Sequence, residues 1–235
     1  MNPPPSARVL VTGSTGSGKT SVLRALFLPR FPRVIVLDFL GTEWQHYIRP
    51  EMTATTVGQL LTLLRRVRRE SRWTILCQWP EDSPATAWLV NFLQPVAGRP
   101  SFVAAVGGIC LYNDEIDLLA PAGSATPEVK TLWSRGRHVG LSILAASQRL
   151  PHIHRVVSAQ SQFLGICQQH EPRDLDAVAR YIPPGILGEA TGLAPFDCLI
   201  WEPGAQRGQI VRPAPGGDYS GRYHVVRKLG SGLDK

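Results

Sequence analysis

A glycine-rich segment at residues 13–20, GSTGSGKT, constrains the fold of this chain more than any other part of its sequence. It matches the Walker A pattern GxxxxGK[ST], and it lies between an apolar, β-branched run at residues 8–12 and a helical pattern that ends near Leu28. This order predicts a P-loop, because the glycines let backbone N–H groups turn toward phosphate oxygens. The alternative, a glycine-rich turn with a chance Lys-Thr, leaves the flanking strand and helix unexplained.

The P-loop predicts a site for ATP and Mg²⁺. Lys19 is expected to reach the β- and γ-phosphates, and the hydroxyl group of Thr20 is expected to bind Mg²⁺. The N-terminal end of the following helix adds a favourable dipole. The predicted nucleotide-binding residues are Gly13, Ser14, Thr15, Gly16, Ser17, Gly18, Lys19, Thr20 and Ser21.

Strands and helices alternate along the rest of the chain. Further strands are predicted near residues 33–38, 73–78, 108–113, 141–147 and 163–168, and further helices over 57–70, 84–96, 128–138 and 172–181. This alternation indicates βαβ units and a mostly parallel sheet that is covered on both faces. Two late strands, 196–201 and 209–212, are predicted to form a hairpin across Pro203 and Gly204.

The composition fits one sizeable folded domain. The chain has 235 residues, of which 43% are hydrophobic and 18% are charged, which is too apolar for a disordered chain. No apolar run approaches the roughly 20 residues that span a bilayer, and the N-terminus has no signal-peptide core. The net charge of +7, carried by 21 Arg and 4 Lys, permits a nucleic-acid partner without demonstrating one.

The chain has four cysteines, each within an apolar run that predicts a strand: Cys77, Cys110, Cys167 and Cys198. No two of them form a CxxC pair, and no histidine lies at metal-ligand spacing from them. We therefore expect buried free thiols in a reducing cytoplasm, not a zinc or redox site.

Two adjacent acids follow the predicted strand at 108–113. Asp114 is expected to hold Mg²⁺, directly or through water, and Glu115 to polarise the attacking water as a general base. A solvated turn would also carry such a pair. With a P-loop upstream, we favour the site, and the glutamate favours hydrolysis over transfer to a small substrate.

Polar and basic residues flank the strand at 141–147. Gln148 follows this strand, where the carboxyl end of a parallel strand faces the ligand crevice, and we expect it to sense the γ-phosphate or the attacking water. A polar strand cap would look the same. Arg135 and Arg137 precede the strand, and either could act as an arginine finger on a neighbouring subunit or be a solvated helix end.

Three segments together resemble the FtsK/HerA superfamily of DNA-pumping ATPases: GSTGSGKT, the ICLYNDEID acids and SRGRHVGLSILAASQR. The resemblance covers residues 8–168, and the segment from SRGRHVG to SQR is its most specific part. It implies a RecA-like (ASCE) α/β fold, a three-layer αβα sandwich with strand order 5-1-4-3-2 plus late edge strands. It also implies a hexameric ring with ATP sites between subunits and double-stranded DNA in the pore.

The short length narrows the resemblance to a minimal motor core. Such a core looks like the genome-packaging ATPases of tailless, membrane-containing icosahedral viruses, which implies location in the host cytoplasm at a capsid vertex or in the virion. A capsid or membrane protein would then be a further partner. We expect an ATPase domain over residues 1–212 and a flexible, glycine-rich basic tail over 213–235. A cellular DNA pump of the same superfamily and a small-molecule kinase remain alternatives.

Several segments are candidates for DNA contact. One is the run RRVRRE, with Arg65, Arg66, Arg68 and Arg69, although such a run on a helix is usually a solvated face. Loops at 120–127 and 150–155 are better placed for a pore. The basic residues of the tail are a third candidate.

Overall fold

The computed structural model describes residues 6–41, 44–95, 101–214 and 222–230, which form one ten-stranded mixed sheet with helices on both faces. The strands are β1 (Arg8–Thr12), β2 (Arg33–Leu37), β3 (Thr53–Ala54), β4 (Trp73–Cys77), β5 (Ile109–Asn113), β6 (Leu141–Ser147), β7 (Phe163–Cys167), β8 (Cys198–Glu202), β9 (Arg207–Pro213) and β10 (Tyr223–Gly230). Their order in the sheet is β10-β9-β8-β7-β1-β6-β5-β2-β4-β3.

The strands from β7 to β3 in this order pair in parallel, whereas β8, β9 and β10 at the other end of the sheet pair antiparallel. Strands β7, β1, β6, β5 and β2 are neighbours in that order, which is the expected 5-1-4-3-2 arrangement once the core strands alone are numbered. The order differs from the expectation in detail, because β4 and β3 extend the sheet beyond β2. β8 and β9 form the predicted hairpin, in which β8 pairs antiparallel with β7. The parallel strands bring all their carboxyl ends to one edge, which we call the site edge.

The helices are α1 (Lys19–Val22), α2 (Val57–Val67), α3 (Pro84–Leu93), α4 (Phe102–Ala105), α5 (Ile116–Leu119), α6 (Pro127–Arg135), α7 (Arg155–Gln160), α8 (Pro172–Val178) and α9 (Pro184–Thr191). α1 continues directly as a π-helical turn at Leu23–Phe27. Short polar residues start the longer helices: the hydroxyl oxygen of Thr56 accepts a hydrogen bond from the backbone N–H of Gln59 in α2, and Thr126 accepts one from Val129 in α6.

Two apolar clusters pack on opposite faces of the sheet, so the three-layer arrangement is as predicted. Leu10 of β1 faces the layer that contains α2, α3 and α6, whereas Val9 and Val11 face the layer that contains α1. The side chains of successive strand residues point to opposite faces, so strands buried on both faces carry continuous apolar runs. These are the runs seen in the sequence.

Residues 223–230 differ from the flexible tail that the sequence suggested. They form β10, which pairs antiparallel with β9 through a register shift between Val225 and Arg227. Most of β10 is exposed on both faces, so its sequence shows no apolar alternation from which a strand could be predicted. The remaining parts of the predicted tail, 215–221 and 231–235 with Lys235, lie outside the described residues.

All four cysteines are buried free thiols, as predicted. Burial raises the pKa of Cys77 and Cys110 well above the usual range of a thiol. Within the ranges that the structure describes, no helix has both the length and the apolar character needed to cross a bilayer.

Candidate nucleotide-binding site

The P-loop follows β1 at the site edge and is anchored to the end of β7. The backbone N–H and the hydroxyl group of Ser14 donate to the carbonyl oxygen of Gln168, at 2.9 and 3.0 Å. Gly18, with φ of +95°, lies in the left-handed region that favours glycine. A Cβ atom on Gly13 would lie 2.7 Å from Cβ of Cys167. The motif therefore needs these glycines for its turn and for its close approach to β7.

The ammonium group of Lys19 is held by the loop itself. Its Nζ atom donates to the carbonyl oxygens of Gly13 and Ser14, both at 2.9 Å. This places the predicted phosphate-binding cation against the loop and in the cleft that the loop lines, and the start of α1 favours an anion there.

The carboxylate of Asp114, a predicted metal ligand, accepts hydrogen bonds from three side chains. Thr20 Oγ1 donates to Asp114 Oδ1 at 3.2 Å, so the structure brings the two predicted metal ligands together. Two further donors were not predicted from the sequence. The hydroxyl group of Tyr112 lies 2.6 Å from Oδ1, and Trp44 Nε1 lies 3.1 Å from Oδ2. Asp114 is thus held by side chains from three segments of the chain.

Glu115 lies beside Asp114 at the start of α5 and lines the same cleft. Burial raises the pKa of its carboxyl group, and the negative charges of Asp117, Asp114, Asp38 and Glu81 raise it further. A raised pKa makes the carboxylate a stronger base, which is the property required of a group that takes a proton from water.

Gln148 follows β6 and reaches the P-loop. The hydroxyl group of Thr15 donates to Gln148 Oε1 at 3.1 Å, although the two residues are 133 positions apart in the sequence. The predicted sensor therefore lies beside the loop that would hold the phosphates.

Arg135 and Arg137 lie far from this cleft. Both are exposed and precede β6 at the opposite edge of the sheet. Because β6 has seven residues, that edge is about 20 Å away from the site edge. Burial of Arg8 and the nearby charge of Arg137 lower the pKa of Arg8, at the start of β1, to about 10. Neither arginine reaches the nucleotide site of its own chain.

The cleft at the site edge has a volume of about 600 Å³. Besides predicted residues, it is lined by several that sequence reasoning missed, among them Arg24, Asp38 and Tyr47. The Arg24 guanidinium stacks over the Tyr47 ring at 3.5 Å. Asp38 is buried, and its Oδ2 atom has no hydrogen-bond partner among the described residues. Its position, directly after a buried strand as in Asp114, is the signal that could have identified it.

The residues present fit Mg²⁺ with a nucleotide. Mg²⁺ takes oxygen ligands and is usually held by one or two carboxylates or hydroxyls together with substrate phosphates and water. Thr20 and Asp114 offer such a pair next to Lys19. Among the described residues, no cluster of three or more His, Cys, Asp or Glu residues could hold a metal ion unaided.

A second groove, of about 400 Å³, lies beyond β6 near the site edge. Three arginines line it, Arg155 of α7, Arg173 of α8 and Arg180, together with Asp176 and the predicted loop at 150–155. Arg65 and Arg66, by contrast, are exposed near the C-terminal end of α2, which leads to the opposite edge of the sheet. The structure therefore separates two of the predicted DNA-binding segments.

No protein-family profile matches this sequence, and neither does any curated protein. Solved structures do match. The genome packaging NTPase B204 of Sulfolobus turreted icosahedral virus 2, in complex with ATP-γS, aligns with a TM-score of 0.69 and 20% identity over 91% of this chain and 99% of that chain. B204 of Sulfolobus turreted icosahedral virus, described as its DNA-packaging ATPase, aligns with a TM-score of 0.69 and 18% identity, covering 91% and 100%.

A more distant match is EccC of Thermomonospora curvata (ATPases 2 and 3), with a TM-score of 0.51 and 13% identity over 91% of this chain and 37% of that chain. At these identities the likeness concerns the fold. The chain has the α/β fold of a P-loop NTPase, and the resemblance to viral genome-packaging ATPases is confirmed at that level.

Proposed function

We propose that this chain is an ATP-hydrolysing motor that pumps double-stranded DNA into a preformed viral capsid. The observation that carries the proposal is the convergence of Lys19, Thr20, Asp114, Glu115 and Gln148 on one cleft, from segments far apart in the sequence. Solved structures with this fold support it. B204 of Sulfolobus turreted icosahedral virus is described as a DNA-packaging ATPase, and structures of the genome packaging NTPase B204 of Sulfolobus turreted icosahedral virus 2 are complexes with ATP-γS, AMP and AMPPCP.

In the proposed hydrolysis, each residue acts from its observed position. Lys19 and the loop N–H groups would hold the β- and γ-phosphates, and Thr20 and Asp114 would hold Mg²⁺. When bound, Mg²⁺ would supply positive charge that neutralises the phosphate oxygens. Glu115, with its raised pKa, accepts a proton from the attacking water. Gln148, beside Thr15, reports whether the γ-phosphate is present.

We propose a homo-oligomeric ring, most simply a hexamer, for completion of the site. Arg135 and Arg137 are exposed at the edge opposite their own cleft, so a catalytic arginine from this pair would have to act on a neighbouring subunit. In a monomer the pair would have no phosphate to reach, and in an open chain of subunits the pair of the terminal subunit would have none, whereas a closed ring leaves no pair without a target.

The groove with Arg155, Arg173 and Arg180 is the proposed track for DNA. Arginine side chains bind phosphates through two parallel hydrogen bonds, which suits a sugar–phosphate backbone. The groove is also joined to the nucleotide site. Gln148 is followed by Arg149, whose Nε atom pairs with the buried Asp174 of α8 at 3.2 Å. A movement of Gln148 on loss of the γ-phosphate would thus reach α8, the helix that carries Arg173, through the Arg149–Asp174 pair.

The first test measures ATP hydrolysis by the full chain with and without duplex DNA. The wild type should hydrolyse ATP, and duplex DNA should stimulate it. Lys19→Ala should weaken nucleotide binding, and Glu115→Gln should bind ATP but hydrolyse it at least 100-fold more slowly, about the size of a general-base contribution. A wild type inactive under all conditions refutes the proposal. Transfer of phosphate to a nucleoside monophosphate in preference to water would identify a kinase instead.

The second test examines the DNA track through its salt dependence. Arg155→Ala and Arg173→Ala should each weaken binding to duplexes of any sequence and lower the slope of log K against log salt by about 1. Arg66→Ala is the matched control, an exposed arginine at the other edge, and it should leave the slope unchanged. The reverse result would place the DNA on α2.

The third test examines action between subunits. Arg135→Ala and Arg137→Ala should retain ATP binding, and the variant that loses hydrolysis identifies the finger. Mixing it with Lys19→Ala subunits should restore part of the activity, because some interfaces then combine an intact P-loop with an intact arginine. Mixed assemblies that regain nothing would exclude a finger from this pair. Capsid genes beside the coding sequence would favour packaging over a cellular DNA pump.

A further inference from the structure

Phe196 has an unusual backbone conformation next to the P-loop. Its φ angle is +66°, one of two positive values among the described residues other than glycine. The backbone N–H of Asp197 donates to the carbonyl oxygen of Ala194 at 3.0 Å, which closes a turn with Pro195 second and Phe196 third. This fits a type II turn, whose third position favours glycine or asparagine. A bulky side chain at such a position is strained, and such strain is concentrated at functional sites.

The surrounding structure holds this conformation in place. Asp197, the next residue, is buried, and its two carboxylate oxygens accept hydrogen bonds from Arg212 at 2.8 and 2.7 Å. β8 then begins at Cys198, directly opposite Cys167 at the end of β7. The turn is thereby fixed at the site edge, beside the P-loop.

The Phe196 side chain lies against Gly18 of the P-loop. A Cβ atom on Gly18 would lie 2.8 Å from Cδ1 of Phe196 and 3.2 Å from its Cα atom. Only a glycine therefore leaves room for this residue. Phe196 itself is half-buried, so part of its surface is open to solvent.

The order of the strands gives the direction in which a bound nucleotide would run. Glu115 follows β5 and Gln148 follows β6, so the γ-phosphate belongs on the β5–β6 side of the P-loop. β7 and β8 lie on the other side of β1. The end of the nucleotide that carries the base must then extend toward β7 and β8, where Phe196 lies. Gln169, buried just after β7, has an Nε2 atom with no hydrogen-bond partner among the described residues.

We propose that Phe196 stacks against the base of the nucleotide bound in the P-loop. This inference rests on the proposed ATP site, and it assigns the part of the nucleotide that the P-loop motif does not address. Stacking on an aromatic ring tolerates any base, because every base has a π-face. Phe196 therefore supplies affinity for a nucleoside over inorganic phosphate chains, not selection among bases.

The test compares ADP with inorganic pyrophosphate, which has the phosphates but no base, by titration calorimetry on the full chain. Phe196→Gly removes the ring and accepts the positive φ without strain, so the fold is retained. It should weaken ADP binding by about 5- to 100-fold, the range for loss of one stacked base. Pyrophosphate binding should change less than about twofold. Phe196→Trp restores an aromatic face and should recover most of the affinity for ADP.

Three results would overturn the inference. The first is an equal loss of affinity for ADP and pyrophosphate in Phe196→Gly, which would mean that Phe196 only shapes the P-loop. The other two are an unchanged affinity of this variant for ADP and a wild type that binds ADP no more tightly than pyrophosphate. Failure of the proposed motor is distinguishable. A wild type that binds both ligands with the expected preference, yet hydrolyses no ATP with or without DNA, would refute the motor and leave the role of Phe196 standing.

Discussion

The hydrogen bond from Tyr112 to Asp114 gives a quantitative test of how the site is held. Tyr112 is fully buried, and its hydroxyl group lies 2.6 Å from Asp114 Oδ1. In Tyr112→Phe the ring remains, with its edge-to-face packing on Trp44 at 4.6 Å, so no large cavity forms. The variant therefore removes the hydroxyl group and its hydrogen bond to Asp114 while the ring stays in place.

The expected loss follows from the type of bond. A hydrogen bond to a charged acceptor contributes about 1.5–3 kcal/mol. Since Asp114 keeps the donors Thr20 and Trp44, we expect the lower part of this range, about 1.5–2 kcal/mol. For a chain of this length that corresponds to a fall of roughly 3–8 °C in Tm.

The assay is thermal and urea unfolding at neutral pH, followed by circular dichroism. Tyr47→Phe is the matched control, because Tyr47 is 55% exposed, and it should change the free energy of unfolding by less than about 0.5 kcal/mol. A double-mutant cycle of Tyr112→Phe and Trp44→Phe should show a coupling energy of at least about 0.5 kcal/mol, because both side chains donate hydrogen bonds to the same carboxylate. A Tyr112→Phe variant as stable as the wild type, or a coupling energy of zero, would refute this account of Asp114.

Three further predictions concern stability and reactivity. Gly165→Ala should lose about 1–3 kcal/mol of stability, because the added Cβ atom would lie 2.7 Å from Val11. Gly188→Ala in α9 should gain about 0.5–1 kcal/mol, because a Cβ atom there has no neighbour within 4 Å. Urea unfolding measures both changes. Partial burial and the charges of Lys130 and Arg155 lower the pKa of His154, and its Nδ1 atom accepts a hydrogen bond from the backbone N–H of Val156. The contribution of His154 to folding stability should therefore be lost as pH falls through that pKa. NMR titration and the pH dependence of Tm should show this loss, and His154→Asn should lack it. A thiol reagent should modify the four buried cysteines only after unfolding, and rapid labelling of the native chain would contradict their burial.

Motifs with a fixed spacing could be located from the sequence, whereas contacts between distant segments could not. The P-loop, Asp114, Glu115 and Gln148 each follow a predictable strand, and parallel strands bring their carboxyl ends to one edge. Trp44 begins a single 3-10 turn, and Phe196, predicted as the first residue of a strand, lies in the turn before β8, which begins at Cys198. Their contacts with Asp114 and Gly18 depend on where the chain returns in three dimensions.

The short elements were missed for a different reason. α4 and α5 have four residues each, too few to show a helical period. β10 is exposed on both faces and lacks alternation. The position of Arg135 and Arg137 relative to the cleft likewise required the sheet order, because the sequence gives no distance between the two ends of a strand.

The placement of β1 has a consequence for synthesis of the chain. Of the ten described strands, β1 is synthesised first, yet its neighbours are β6 and β7. The P-loop's hydrogen bonds to Gln148 and Gln168 likewise join residues 133 and 154 positions apart. Until residue 167 has been translated, β1 has unpaired edges, and the loop after it has no anchor. The nascent chain therefore exposes a strand that is fully buried in the folded protein until β7 has been made, a period in which aggregation competes with folding. Nucleotide affinity is expected to appear late and abruptly, as a property of the nearly finished sheet.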